Sequence, residues 1–135
     1  MYEPDWEAGC KSCSLVADHY EPSVVHLRQR DVNLVTVSRA SWEKISSFRQ
    51  RMGWDFKWVS SADSDFNFDF YTSFSQEGID NNDIYFNYEE GRTFPSTEIP
   101  AISTFAKNPD GTVYHTRSEE RRVGKEGRSR WSPYH

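Results

Sequence analysis

The sequence predicts a small α/β domain with a single core, and three observations predict it. The run Val32-Asn33-Leu34-Val35-Thr36-Val37 is β-branched and nearly continuously apolar, the pattern of parallel strands covered on both faces. Directly after it, Trp42, Ile45, Phe48 and Met52 fall on one stripe at helical spacing. Further on, Ile102–Lys107 and Thr112–Thr116 flank Asn108-Pro109-Asp110-Gly111, turn chemistry that joins two antiparallel strands.

The remaining elements fall around these. A short helix is expected over Cys10–Tyr20, with Leu15, Val16 and Ala17 as its apolar stretch and Pro22 as a break just beyond it. A second is expected over Ser23–Arg30, with Val24, Val25 and Leu27 on its buried side. Ser41 can cap the third helix, Glu43 lies in its first turn, and Gly53 ends it. Phe56–Val59 reads as the next strand. Phe66, Phe68 and Phe70 alternate with polar residues as a strand would, but their Asp and Asn neighbours disfavour one. Residues 78–82 read as a loop. The order is helix, helix, strand, helix, strand and a hairpin preceded by Ile99-Pro100. That is a thioredoxin-like order with its first strand missing.

Composition narrows the function classes. The charged fraction of 27% is offset by 16% aromatic residues, which argues against a disordered chain. A net charge of −5 argues against a general nucleic-acid or membrane-surface binder. No apolar run approaches the ~20 residues that span a bilayer. Residues 1–6 hold no basic-then-apolar leader pattern, which points to the cytoplasm.

The chemistry rests on two cysteines, Cys10 and Cys13, spaced C-x-x-C. Beside a β/α pattern this spacing reads as a redox pair or half a metal site. A helix N-terminus offers free N–H groups and a partial positive charge, both of which favour a thiolate. Cys10 stands at that end as the nucleophile, with Lys11 as a neighbouring cation. Cys13 lies one turn in and would resolve the mixed disulfide. The bland alternative is a pair of inert buried cysteines. A zinc site using His19 and His26 would need C-x2-C-x5-H-x6-H, which fits no usual zinc spacing. Asp63, Asp65, Asn67 and Asp69 resemble the start of a calcium loop. However, Phe68 stands where that loop needs Gly and Phe74 where it needs Glu. No metal and no cofactor are expected.

The stretch Pro4-Asp5-Trp6-Glu7-Ala8-Gly9-Cys10-Lys11-Ser12-Cys13-Ser14 resembles the signature of an uncharacterised bacterial thioredoxin-like family, a domain-of-unknown-function grouping of predicted dithiol–disulfide oxidoreductases. His26-Leu27, Arg30-Asp31-Val32, Val37-Ser38-Arg39-Ala40, Arg51-Met52-Gly53-Trp54, Trp58-Val59-Ser60-Ser61 and Ser64-Asp65-Phe66-Asn67 are similar too. The resemblance covers nearly all of residues 1–116 and none of the stretch that follows. It implies a thioredoxin-like α/β fold, Cys10 and Cys13 as the catalytic pair, and a first strand and last helix that this chain lacks at its two ends. Lys11 stands where many relatives have Pro. Trp6, Lys11, Ser12 and Pro100 are the supporting residues, Pro100 as a cis proline before the strand that faces the dithiol, with Pro95 as its rival.

From Arg117 the composition changes. Residues 117–135 hold no Leu, Ile, Phe or Ala, and the segment resembles a translated sequencing adapter apart from Gly127. It is expected to be a non-native tail without a stable element. Setting it aside leaves ten Lys and Arg against eighteen Asp and Glu, a net of −8 over residues 1–116.

The leading expectation is therefore a dithiol–disulfide oxidoreductase acting on protein or small-molecule disulfides, with a thiol reductant as its other partner. No nucleic-acid or membrane partner is expected, and the oligomeric state is open. A peroxide-reducing enzyme of the same chemistry is the near alternative. A redox-inactive thioredoxin-like binding module is the alternative from another class.

Overall fold

The computed structural model describes residues 2, 4–86, 89–91, 93–94 and 96–120, the last four by backbone alone. The chain divides into two compact units, Met1–Ser73 and Phe74–His135.

The first unit holds α1 (Lys11–Ala17), α2 (Tyr20–Arg28), β1 (Val35–Ser38), α3 (Trp42–Met52), β2 (Lys57–Ser60) and α4 (Phe66–Asp69). β1 and β2 pair in parallel, with Val35 opposite Lys57 and Ser38 opposite Ser60. Parallel neighbours need a crossover, and α3 supplies it. Ser41 caps α3 by accepting the Lys44 N–H at 3.4 Å, and Gly53 leaves it at φ 71°. Ile45 and Phe48 turn inward as expected, whereas Trp42 is half exposed. Trp42 is the first residue of the helix. The core is aromatic: Tyr2, Phe48, Trp54, Phe56 and Trp58 pack with Ala17, Ala40 and Ile45. Trp54 lies 5.3 Å from Phe56 and 5.8 Å from Trp58, ring centre to ring centre. Glu21 ties α2 to this core, because its Oε2 accepts the N–H groups of Asp55 at 2.8 Å and Phe56 at 2.9 Å.

Four helix ends share one device and explain most departures from the expected elements. In each, a residue at positive φ closes the helix while two N–H groups reach back to its last carbonyls. Asp31, at φ 57°, ends α2: Asp31 N–H bonds Arg28 O and Val32 N–H bonds Leu27 O. Val32 is thereby spent on a helix end, and the strand begins at Val35 rather than Val32. Gly53 does the same for α3, with Trp54 N–H on Arg49 O. Tyr71, at φ 51°, closes α4, so Phe66–Asp69 is a helix and not a strand. Asn82, at φ 55°, closes α5 (Gln76–Asp80) in the second unit, where a loop was expected. α2 has no buried residue, and Val25 is 56% exposed, so its expected apolar side is covered only in part.

The second unit contains α5 and the hairpin of β3 (Ala101–Lys107) and β4 (Val113–Glu120). The turn forms as its residues predict: Gly111 N–H bonds Asn108 O and Asn108 N–H bonds Thr112 O, both at 2.9 Å. Among its described residues Ile84 and Phe86 are buried, with Phe74, Phe86 and Phe94 in ring contact. β4 continues through Arg117–Glu120, paired with Thr104–Ala101. The expectation that regular structure stops at Arg117 is thus corrected: the β-ladder carries four residues further, because Ala101–Thr104 offer it a paired edge. Among the described residues β1 and β2 form a two-stranded sheet in the first unit, and β3 and β4 form one in the second. Among the described residues no helix is long and apolar enough to cross a membrane.

Candidate dithiol site

Cys10 is the N-cap of α1. Its φ of −54° and ψ of 127° place it just outside the helix, and its Sγ accepts the Cys13 N–H at 3.3 Å. A cysteine therefore fills the position that Ser, Thr, Asp or Asn usually takes. Its carbonyl is held twice by Ser14, through the N–H at 2.9 Å and the Oγ–H at 2.8 Å. Ser14 and Ala17 are the inward residues of α1, so the helix lies on the core with the sulfur end outward. Both cysteines are free thiols, each half-buried.

The loop before Cys10 is anchored to α3 and the core. Tyr2 is buried, packs edge-on against Phe48 at 5.6 Å, and donates its hydroxyl to Glu7 O at 3.0 Å. Lys44 Nζ donates to Pro4 O at 2.8 Å and Trp6 O at 3.2 Å. Gly9 closes the loop against Phe48, where a Cβ would come within 2.8 Å of the ring. Trp6 contributes its backbone carbonyl to this anchorage, and its ring is partly exposed.

The two thiols differ in electrostatics. Burial pushes the Cys10 thiol up, but hydrogen bonding from Cys13, side chain and backbone, and from Ser12 outweighs it and holds the group below its ordinary value. Ser12 Oγ lies 3.2 Å from Cys10 Sγ. Burial pushes Cys13 up, and its hydrogen bond to Cys10 adds to this. Lys11, the expected cation, is exposed and is not among the groups acting on either thiol. Hydrogen-bond donors close to the sulfur, with a smaller part from the charged N-terminus, lower the Cys10 thiol instead.

Sequence reasoning missed two residues here. Ser14 gives a second hold on Cys10 O. Tyr20 stands in edge contact with Phe56 at 5.7 Å, its phenol pushed up by burial and then by the Cys13 sulfur. A Ser four residues after a cap cysteine was a usable signal, since that is hydrogen-bonding distance along a helix. Tyr20 had none, because it begins a different helix.

Pro100 does not take the expected part. No cis peptide bond occurs among the described residues, so Ile99–Pro100 is trans, and Pro100 is exposed in the second unit. Ile99-Pro100 leads straight into β3, where an extended trans link suffices. The rival, Pro95, lies outside the described residues. His19 Nδ1 donates to Leu15 O at 2.9 Å, and among the described residues no group of three or more His, Cys, Asp or Glu is arranged to hold a metal ion.

No curated protein and no solved structure matches the chain. The model of a family described as bacterial protein of unknown function, DUF899, matches residues 1–132, so the likeness is not confined to residues 1–116. On that match the chain belongs to the bacterial DUF899 family.

Proposed function

We propose that the chain is a thioredoxin-like dithiol–disulfide oxidoreductase, with Cys10 as nucleophile and Cys13 as resolving thiol. The observation that carries this is Cys10 Sγ standing as the helix cap, 3.3 Å from the Cys13 N–H, in a position that favours its thiolate. The parallel β1–α3–β2 unit following the dithiol helix, and the later antiparallel hairpin, support the thioredoxin-like part of the reading. The Cys10 thiolate attacks one sulfur of a disulfide, forming a mixed disulfide and expelling the other sulfur as a thiolate. Cys13, once deprotonated, attacks Cys10 Sγ, closes the internal disulfide and expels the second substrate thiolate. Two electrons pass from the dithiol to the substrate, and an external thiol reductant in the cytoplasm returns them. A binding module has no need of a thiol poised in this way.

Disulfide reduction with a dithiol reductant tests the reading. Cys10→Ser is expected to abolish turnover, and Cys13→Ser to accumulate a mixed disulfide on Cys10. Full turnover by Cys10→Ser contradicts it.

A further inference from the structure

We infer that Ser12 is a catalytic residue of this dithiol, its hydroxyl donating a hydrogen bond to the Cys10 thiolate that attacks the substrate disulfide. The inference rests on the proposed function and adds a third reacting-site group to it. Ser12 Oγ lies 3.2 Å from Cys10 Sγ, within hydrogen-bonding reach of sulfur. Either atom could donate while Cys10 is a thiol, but a thiolate has no proton to give, so in the reactive state the direction is settled: Ser12 donates. The Cys13 N–H already points at the same sulfur from 3.3 Å. The thiolate thus has three donors within its own first helical turn: the Cys13 N–H, fixed by the backbone, the Cys13 side chain, and the Ser12 hydroxyl, adjustable through its rotor.

The placement gives the Cys13 N–H and the Ser12 hydroxyl different fates during the reaction. The Cys13 N–H belongs to the helix cap and stays directed at Cys10 Sγ. The Ser12 hydroxyl is on the exposed surface of α1 and can turn as charge moves. When Cys10 Sγ becomes bonded to a substrate sulfur it loses its negative charge and is a poor acceptor. The hydroxyl is then free to turn to the substrate sulfur that Cys13 expels as a thiolate. No proton leaves Ser12 in either step; it supplies a hydrogen bond first to the attacking sulfur and then to the leaving one. Lys11 is exposed and is not among the groups that lower the Cys10 thiol. The favoured Cys10 thiolate, with Ser12 among its causes, agrees with the geometry.

The test uses the whole chain and the variants Ser12→Ala and Ser12→Thr. Ala is the better helix former, so a loss of reactivity in Ser12→Ala does not follow from a weaker α1. The readout is the pH dependence of Cys10 alkylation by iodoacetamide, with mapping of the modified residue. Ser12→Ala is expected to move the Cys10 midpoint upward and to slow alkylation below that midpoint by about threefold or more, the scale of one hydrogen bond to a charged group near solvent. Ser12→Thr, which keeps the hydroxyl, is expected to restore the original midpoint. An unchanged midpoint in Ser12→Ala overturns the inference while leaving the proposed function standing. A wild-type Cys10 midpoint no lower than that of Cys13 overturns the proposed function itself.

Discussion

Gly9 lies so close to Phe48 that a Cβ at position 9 would sit 2.8 Å from Cε1 and 3.0 Å from Cζ of the ring. The residue immediately before the nucleophilic cysteine is therefore seated on the aromatic core. Gly9→Ala is expected to push the ring or the loop aside and to cost about 1–3 kcal/mol, the usual range for overpacking. Denaturant unfolding under reducing conditions measures it. The same variant should change the Cys10 alkylation rate, because the displaced loop leads directly into the cap.

The pairing of Trp58 with Ser38 holds the parallel strands in register through side chains as well as backbone. The indole Nε1–H donates to Ser38 Oγ at 3.0 Å, with both residues almost completely buried. Ser38→Ala would leave a buried donor without this acceptor, at a cost of about 1–3 kcal/mol. Ser38→Thr keeps the hydroxyl and should retain more of the stability than Ala does. Equal stability of the Ala variant and the wild type in urea unfolding would contradict this.

Glu21 carries the link from α2 to the start of β2, accepting two backbone N–H groups with one oxygen. Glu21→Ala is expected to destabilise the first unit by about 1–2 kcal/mol, since both donors lose a charged acceptor. The loss should appear first as faster hydrogen exchange at the Asp55 and Phe56 amides.

The two thiols give stability opposite dependences on pH. Cys10 is held below its ordinary value, so its thiolate stabilises the fold; this contribution is complete above the unfolded value and is lost as pH falls through the folded one. Cys13 is pushed above its ordinary value, so its contribution is present below the unfolded value and is lost as pH rises through the folded one. In reducing buffer, Cys10→Ser should remove the rise in stability on the acid side of the ordinary thiol range. Cys13→Ser should remove the fall on its alkaline side. Urea midpoints against pH for the three proteins provide the check.

The parts of the fold that depend on local chemistry were legible in the sequence. Ser41, Gly53 and Asn108-Pro109-Asp110-Gly111 each do what their side chains or lack of one dictate. The parts missed depend on non-glycine residues that take a left-handed backbone where N–H groups close a helix end. Asp31 and Tyr71 are not glycines, yet each closes a helix at positive φ. Asn82 and Asp31 were the more readable of the three, since Asn and Asp tolerate that conformation and Tyr does not. The cysteine pair and its helix were legible from spacing. The source of the thiolate's stabilisation was legible only in part: Ser12 stood among the supporting residues, but the sequence does not tell that its hydroxyl, and not the Lys11 cation, lies within reach of the sulfur.

The central claim is the division of labour between Cys10 and Cys13, and competitive alkylation with residue mapping tests it most directly. The reduced whole chain is treated with limiting iodoacetamide across a pH series, and the modified fraction at each cysteine is read by peptide mass. Cys10 is expected to react first, with its midpoint below the ordinary thiol range and that of Cys13 above it. Between the two midpoints the label should therefore fall on Cys10 by a wide margin. Equal rates at both cysteines across the series, or faster labelling of Cys13, would contradict the account.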